Sequence, residues 1–238
     1  MILHDRFQGG RTVALMLLAL ALAVVPSAAW AHPPDAPGTV ETLVSFDASR
    51  LETPESLVFD REGNVYISLA LTGEIRRIAP DGSQSTFALL PIGPPLTPCG
   101  GFIAIMGGLT LDNQGNLYAT AAACDPANRG IWRISPDGQA QILANLPLEA
   151  LPNGITLYQG VLYVADSALG RVWAAPVEGG VATVWFDDPS LLAAPPGSPF
   201  PGANGIKVFR REVYVSNSGG GTIVAIPFLN NGEPGTPR

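Results

Sequence analysis

The sequence predicts an all-β fold, a β-propeller of four-stranded blades, on three observations. One strand-turn-strand pattern recurs four times at a spacing of about fifty residues. Gly, Asn, Asp and Pro cluster at matching places in the copies, where tight turns need them. The runs between these clusters are short and rich in β-branched and aromatic residues, with no sustained helical period.

The copies align without strain. PESLVFDREGNVYIS starts at Pro54, MGGLTLDNQGNLYAT at Met106, PNGITLYQGVLYVAD at Pro152 and ANGIKVFRREVYVSN at Ala203. Tyr66, Tyr118, Tyr163 and Tyr214 occupy one shared position. Each copy continues into a second strand pair, EIRRIAPDGS, GIWRISPDGQ, RVWAAPVEGG and TIVAIPFLNNG. Naming the strands of each copy A to D, Asp60–Asn64 and Asp112–Asn116 read as A–B turns. Pro80-Asp81-Gly82 and Pro136-Asp137-Gly138 read as C–D turns. The blades then span about 54–91, 106–148, 152–189 and 203–238. Four-stranded units at this spacing stack radially around a channel; a sandwich with chance similarity is the alternative. Trp132 and Trp173, equivalent in strand C, are expected to pack between blades. Thr39–Phe46 reads as a lone D strand able to complete the last blade and cover its edge. On that count the propeller has four blades; a larger propeller cut short is the competing count.

The first residues are set apart from the fold. Arg6 and Arg11 flank the start of an apolar run, Thr12–Val25, followed by Pro26 and the small-x-small signal Ala29-Trp30-Ala31. This is the pattern of a signal peptide over residues 1–31. The run is shorter than the ~20 residues of a spanning helix, so cleavage is expected and a retained anchor is the alternative. The mature domain, 32–238, is then exported to the periplasm or the extracellular space.

Charge and composition remove whole classes of function. Twenty acidic residues against thirteen basic ones give a net charge of −7, the wrong sign for nucleic acid or an anionic membrane. The only histidines are His4 and His32, so no Ser-His-Asp triad or His-ligated metal can form in the folded body. Lys207 is the sole lysine and leaves Schiff-base chemistry one candidate. The expected partner is a small-molecule substrate or ligand, and the expected state a monomer.

Strand order places the D–A and B–C loops on one face. The D–A loops Leu90–Met106 and Asp187–Gly202 are long and rich in Pro and Gly; the one between them, Pro147–Pro152, is short. Long loops on a rigid scaffold are where sites are built. Cys99 falls in the first of these loops and Cys124 in the B–C loop of the same blade. An exported chain would oxidise such a pair to a disulfide, with free thiols as the alternative. At the axial start of strand A the aligned residues are Glu55, Gly107, Asn153 and Asn204. A carboxylate and two amides converging there suit a hard divalent cation, calcium first. Singly, Asn153-Gly154 and Asn204-Gly205 also read as turn residues entering a strand. Asp166 and Asn217 end strand B in the last two blades, and read either as groups backing the ligands or as turn formers.

On PESLVFD with Glu55, PNGITL with Asn153 and ANGIKVF with Asn204, residues 38–238 resemble the regucalcin, gluconolactonase and luciferin-regenerating-enzyme family, with some likeness to NHL repeats. The resemblance implies a six-bladed propeller with an axial divalent cation on Glu55, Asn153 and Asn204, hydrolysing lactones or related esters. It also exposes departures. Gly107-Gly108 replaces any polar ligand in the second blade, and two further blades would be expected beyond the fourth. Function is therefore read as a metal-dependent lactone or ester hydrolase. The alternative is a non-catalytic propeller binding a small ligand or an exported protein; a lyase opening a cyclic ester is a third reading.

Overall fold

Asp60 shows how each of the first two blades turns its first corner. Its Oδ1 accepts hydrogen bonds from the backbone N–H groups of Glu62 (3.0 Å) and Asn64 (2.8 Å), and its Oδ2 from Asn64 Nδ2 and the Tyr66 hydroxyl. Asp112 repeats the arrangement with Gln114, Asn116 and Tyr118. Arg77 and Arg133 then close the equivalent networks on Asn64 Oδ1 (2.7 Å) and Asn116 Oδ1 (3.1 Å). Burial, reinforced by Asp112, pushes the Tyr118 hydroxyl up to about 12. These turn aspartates are structural, because their oxygens are spent on holding the hairpin.

A computed structural model describes residues 40–99, 101–193 and 200–238; the expected signal peptide lies outside them. Thr42–Arg238 forms one compact unit. Three antiparallel four-stranded sheets follow one another along the chain. The first is β1 (Pro54–Phe59), β2 (Val65–Leu69), β3 (Glu74–Ile78) and β4 (Gln84–Leu89). A short hairpin, β5 (Pro98–Cys99) with β6 (Phe102–Ile103), lies in the loop that follows. The second sheet is β7 (Ile105–Leu111), β8 (Leu117–Ala122), β9 (Gly130–Ile134) and β10 (Ala140–Asn145). The third is β11 (Pro152–Tyr158), β12 (Val161–Asp166), β13 (Arg171–Pro176) and β14 (Thr183–Asp187). A fourth sheet holds β15 (Ala203–Phe209), β16 (Glu212–Asn217) and β17 (Thr222–Pro227). Four-stranded meanders in series, without an α-helix among the described residues, are the blades of a β-propeller, as the repeat predicted.

The core lies between blades. Tyr66 and Ile75 of the first blade meet Met106, Leu109 and Trp132 of the second. Tyr118 and Ile131 meet Ile155, Leu162 and Trp173 of the third. Tyr163 and Val172 in turn meet Ile206, Val213 and Val215 of the fourth. The shared tyrosine of each blade thus packs against the next one. Tyr214, in the last described blade, is only half-buried. Both strand-C tryptophans pack in these seams as expected.

The N-terminal segment behaves differently from its sequence pattern. Thr39 lies outside the described residues, and Thr42–Phe46 forms no strand. Instead Val44 and Phe46 pack on the face of the first blade formed by Val65, Ile67, Leu69 and Ile78. The Arg76 guanidinium sits 5.8 Å from the centre of the Phe46 ring. Covering apolar surface stabilises the segment on that face, at about 25 cal/mol per Å² buried. The edge of β17 is met by the chain's own end: Ala225 and Arg238 exchange backbone hydrogen bonds at 2.9 and 3.0 Å, and Gly235 N–H donates to Pro227.

Candidate functional site

Each strand A carries a β-bulge at the same point. The pairing register shifts between Pro54 and Ser56, Met106 and Leu109, Pro152 and Ile155, and Ala203 and Ile206. A bulge releases residues from the ladder and re-aims them. The released positions are Glu55, Gly107-Gly108, Asn153-Gly154 and Asn204-Gly205, the very set the alignment singled out. Successive A strands approach closely here. A Cβ on Gly108 would lie 2.9 Å from the backbone nitrogen of Ile155 and 3.0 Å from Gly154 Cα. At the position aligned with Asn153 and Asn204, a Cβ on Gly107 would lie 2.6 Å from Thr120 Oγ1 and 2.9 Å from the Asn153 carbonyl oxygen, which explains why the second blade offers no ligand.

The hydrogen bonds at the axis run from blade to blade. The Leu109 N–H donates to Ser56 Oγ (3.1 Å), the Thr120 hydroxyl to the Asn153 carbonyl (2.5 Å), and the Ser167 hydroxyl to the Ala203 carbonyl (2.5 Å). Beside these contacts lies an axial cavity of about 370 Å³. Glu55, Asn153 and Asn204 all line it, as the sequence predicted, together with Lys207, Ser216 and Ser218.

The two asparagines are held alike. Asn153 Nδ2 donates to Ser167 Oγ at 3.2 Å, and Asn204 Nδ2 donates to Ser218 Oγ at 3.0 Å. Each serine thereby ties down the amide nitrogen. Asn153 is only 8% exposed, and its Oδ1 has no hydrogen-bond partner among the described residues. A buried oxygen left this way is costly unless something else binds it. Glu55 opens onto the cavity, yet the protein around it desolvates the carboxyl and raises its pKa above the ordinary value. A nearby cation would offset that penalty. The donor set, one carboxylate and two amide oxygens, fits a hard cation that completes its shell with water. Among the described residues no group of three or more His, Cys, Asp or Glu is placed to hold a metal ion.

Asp166 and Asn217 sit one step away. Asp166 is fully buried; its Oδ1 accepts from the N–H groups of Leu151, Ala168 and Leu169, and its Oδ2 from Trp173 Nε1 at 2.8 Å. Asn217 Nδ2 donates to the carbonyls of Ser190 and Leu192, both at 2.7 Å, and its Oδ1 accepts from Gly220. Both brace a D–A loop against the end of strand B, directly before Ser167 and Ser218.

Reading the sequence blade by blade left out Ser167, Ser218 and Arg129, and gave Lys207 no place in this site. Ser167 and Ser218 follow strand B at one equivalent position, where the first two blades have Ala70 and Ala122, so the alignment carried the signal. Lys207 lies three residues after Asn204, on the cavity side of the bulge. The fully buried Arg129 had no sequence signal. Its Nε donates to the Ala123 carbonyl at 2.9 Å and its Nη1 to that of Ala150 at 2.5 Å, tying a B–C loop to a D–A loop. Burial lowers its pKa, and the charge of Asp166 works in the opposite direction.

The disulfide expected between Cys99 and Cys124 is present, with the Cα atoms 4.9 Å apart. It fastens the β5–β6 hairpin to the B–C loop of its blade. A hollow of about 600 Å³ lies beside it, walled by Leu90, Pro91 and Ile92. Among its described lining residues the sole ionisable group, Asp125, caps a 3-10 turn through the Ala127 N–H, so little chemistry converges there. A further cavity of about 330 Å³ sits on the loop face and shares Asn153 with the axial cavity. Among the described residues no helix is long and apolar enough to cross a membrane.

No protein-family model and no curated protein matches the chain. Solved structures do. A catalytically inactive virginiamycin B lyase from Staphylococcus aureus, with quinupristin, is 17% identical, with a TM-score of 0.55 over 79% of this chain and 56% of that one. A streptogramin B lyase is 15% identical, with a TM-score of 0.54 over 77% of this chain and 54% of that one. A luciferin-regenerating enzyme is 14% identical, with a TM-score of 0.54 over 78% and 62%. The likeness to luciferin-regenerating-enzyme propellers read from the repeats therefore holds in three dimensions, at the level of the fold. The chain spans little more than half the length of these structures.

Proposed function

We propose that this chain carries the cation-binding part of an exported hydrolase acting on lactones or related esters. The observation that carries the reading is that Asn153, whose buried Oδ1 has no hydrogen-bond partner among the described residues, lines one cavity with Glu55 and Asn204. Calcium is the first candidate, since all three donors are oxygens. A bound divalent cation would supply Lewis-acid polarisation of the ester carbonyl.

The chain's own residues do the rest. Ser167 and Ser218 turn the two amides so that their oxygens remain available. Glu55 supplies the one negative charge. Lys207, a cationic side chain in the cavity wall, would take up negative charge developing on a carbonyl oxygen. The solved lyases and the luciferin-regenerating enzyme support an enzymatic role for a propeller of this kind, without choosing the reaction.

A second reading, a propeller that binds an anionic ligand without turnover, is favoured by Lys207 facing the same cavity. Calcium titration followed by assay against a lactone panel separates the two. Cation binding with chelator-sensitive hydrolysis is the expected result. Neither binding nor hydrolysis by the full chain would overturn the hydrolase reading.

A further inference from the structure

The loop-face cavity beside Asn153 has a character unlike that of the axial one. Its volume, about 330 Å³, falls in the range of small-molecule pockets. Phe102, Ile105, Leu151, Ala193 and Pro201 contribute to its wall, and none of its described lining residues is charged. Its side-chain polar groups are Asn153 and Ser167, the amide and the hydroxyl that holds it. Phe102 and Ile105 are only half-buried, and with Leu151 they stand outside the apolar clusters described between the blades. Core packing therefore does not explain this apolar surface.

The wall is also anchored. Phe102 pairs with Cys99 in the β5–β6 hairpin, and Cys99 is joined to Cys124. Leu151 is held by its N–H bond to Asp166 Oδ1 at 3.0 Å. A disulfide and a buried carboxylate thus fix two sides of a cavity whose floor is Asn153.

We infer that this cavity receives the apolar substituent of the substrate, and that the preferred substrates are alkyl- or aryl-substituted lactones or esters, not polyhydroxylated sugar lactones. The inference rests on the hydrolase reading and specifies its substrate class. Asn153 lines both cavities, so a ligand whose carbonyl lies over it can extend its substituent along this apolar wall. Hydroxyl groups placed there would lose water and gain few partners, which costs binding. An alkyl chain loses nothing and buries apolar surface.

Calorimetric binding of γ-decalactone and of glucono-δ-lactone to the calcium-loaded full chain tests this without requiring turnover. The expected result is at least about tenfold tighter binding of the alkyl lactone, and about a tenfold loss of that binding in Ile105→Asn. Phe102→Ser is the second variant, in a hairpin outside the blades. Calcium affinity in both variants should equal that of the unsubstituted chain, which shows that the axial site is folded. Equal binding of the two lactones, or alkyl-lactone binding untouched by both substitutions, would overturn the assignment. If the alkyl lactone binds as described and is never hydrolysed, the hydrolase reading fails while the apolar subsite stands.

Discussion

The amide nitrogen of Asn153 donates to the Ser167 hydroxyl at 3.2 Å, and that same hydroxyl donates to the Ala203 carbonyl of the next blade at 2.5 Å. One serine therefore sets the orientation of a candidate ligand and ties the third blade to the fourth. Asn204 and Ser218 repeat the first half of this arrangement, in a more open setting.

The two serines should consequently separate binding from stability. Ser218→Ala should weaken calcium binding several-fold and leave the unfolding midpoint nearly unchanged. Ser167→Ala should weaken binding and also cost about 1–3 kcal/mol, because it removes two buried hydrogen bonds. Calorimetric titration and urea denaturation of both variants check this.

Glu55 gives the pH dependence its sign. Desolvation raises its pKa in the folded chain, so the metal-free fold favours the protonated form. Its contribution to stability is present below the unfolded value of 4.5 and is lost as pH rises through the folded one. Near neutral pH, Glu55→Gln should melt at the same temperature as the metal-free protein or higher. Added calcium should raise the melting temperature of the unsubstituted chain and not that of the variant. Calcium affinity should fall as pH drops through the raised pKa, since proton and cation compete for one carboxylate.

Gly108 and Gly205 occupy the same place in their bulges but face different surroundings. A Cβ on Gly108 meets the backbone of the next A strand, whereas one on Gly205 meets only Ser216 Oγ at 3.1 Å. Gly108→Ala should destabilise by about 1–3 kcal/mol through overpacking. Gly205→Ala should cost distinctly less. Thermal unfolding of the pair is the measurement, and equal losses would show that the strands do not approach as described.

The Cys99–Cys124 bridge closes a 25-residue separation. Replacing both cysteines with serine should cost about 3 kcal/mol, by freeing the unfolded chain. A reducing agent should bring the unsubstituted protein to the same unfolding midpoint. Reduction should also loosen the hairpin that carries Phe102, and so weaken alkyl-lactone binding more than calcium binding.

What the amino-acid sequence determined by itself is whatever repeats. Turn residues, strand periods and the shared tyrosine recur in register, so blade order, the loop-bearing face, the two-cysteine bridge and the alignment of Glu55, Asn153 and Asn204 were legible from one chain. Local chemistry recurs because each blade solves the same backbone problem. Tertiary structure alone decided what depends on contacts between blades. It turned Thr42–Phe46 from an expected strand into a cover for Val65 and Ile67, where Val44 and Phe46 bury apolar surface. It assigned Asp166 and Asn217 to bracing loops, through bonds to residues up to 27 positions distant. It left Asn153 Oδ1 buried without a partner among the described residues, which no alignment displays, since burial and hydrogen-bond satisfaction are properties of the packed molecule and not of the residue.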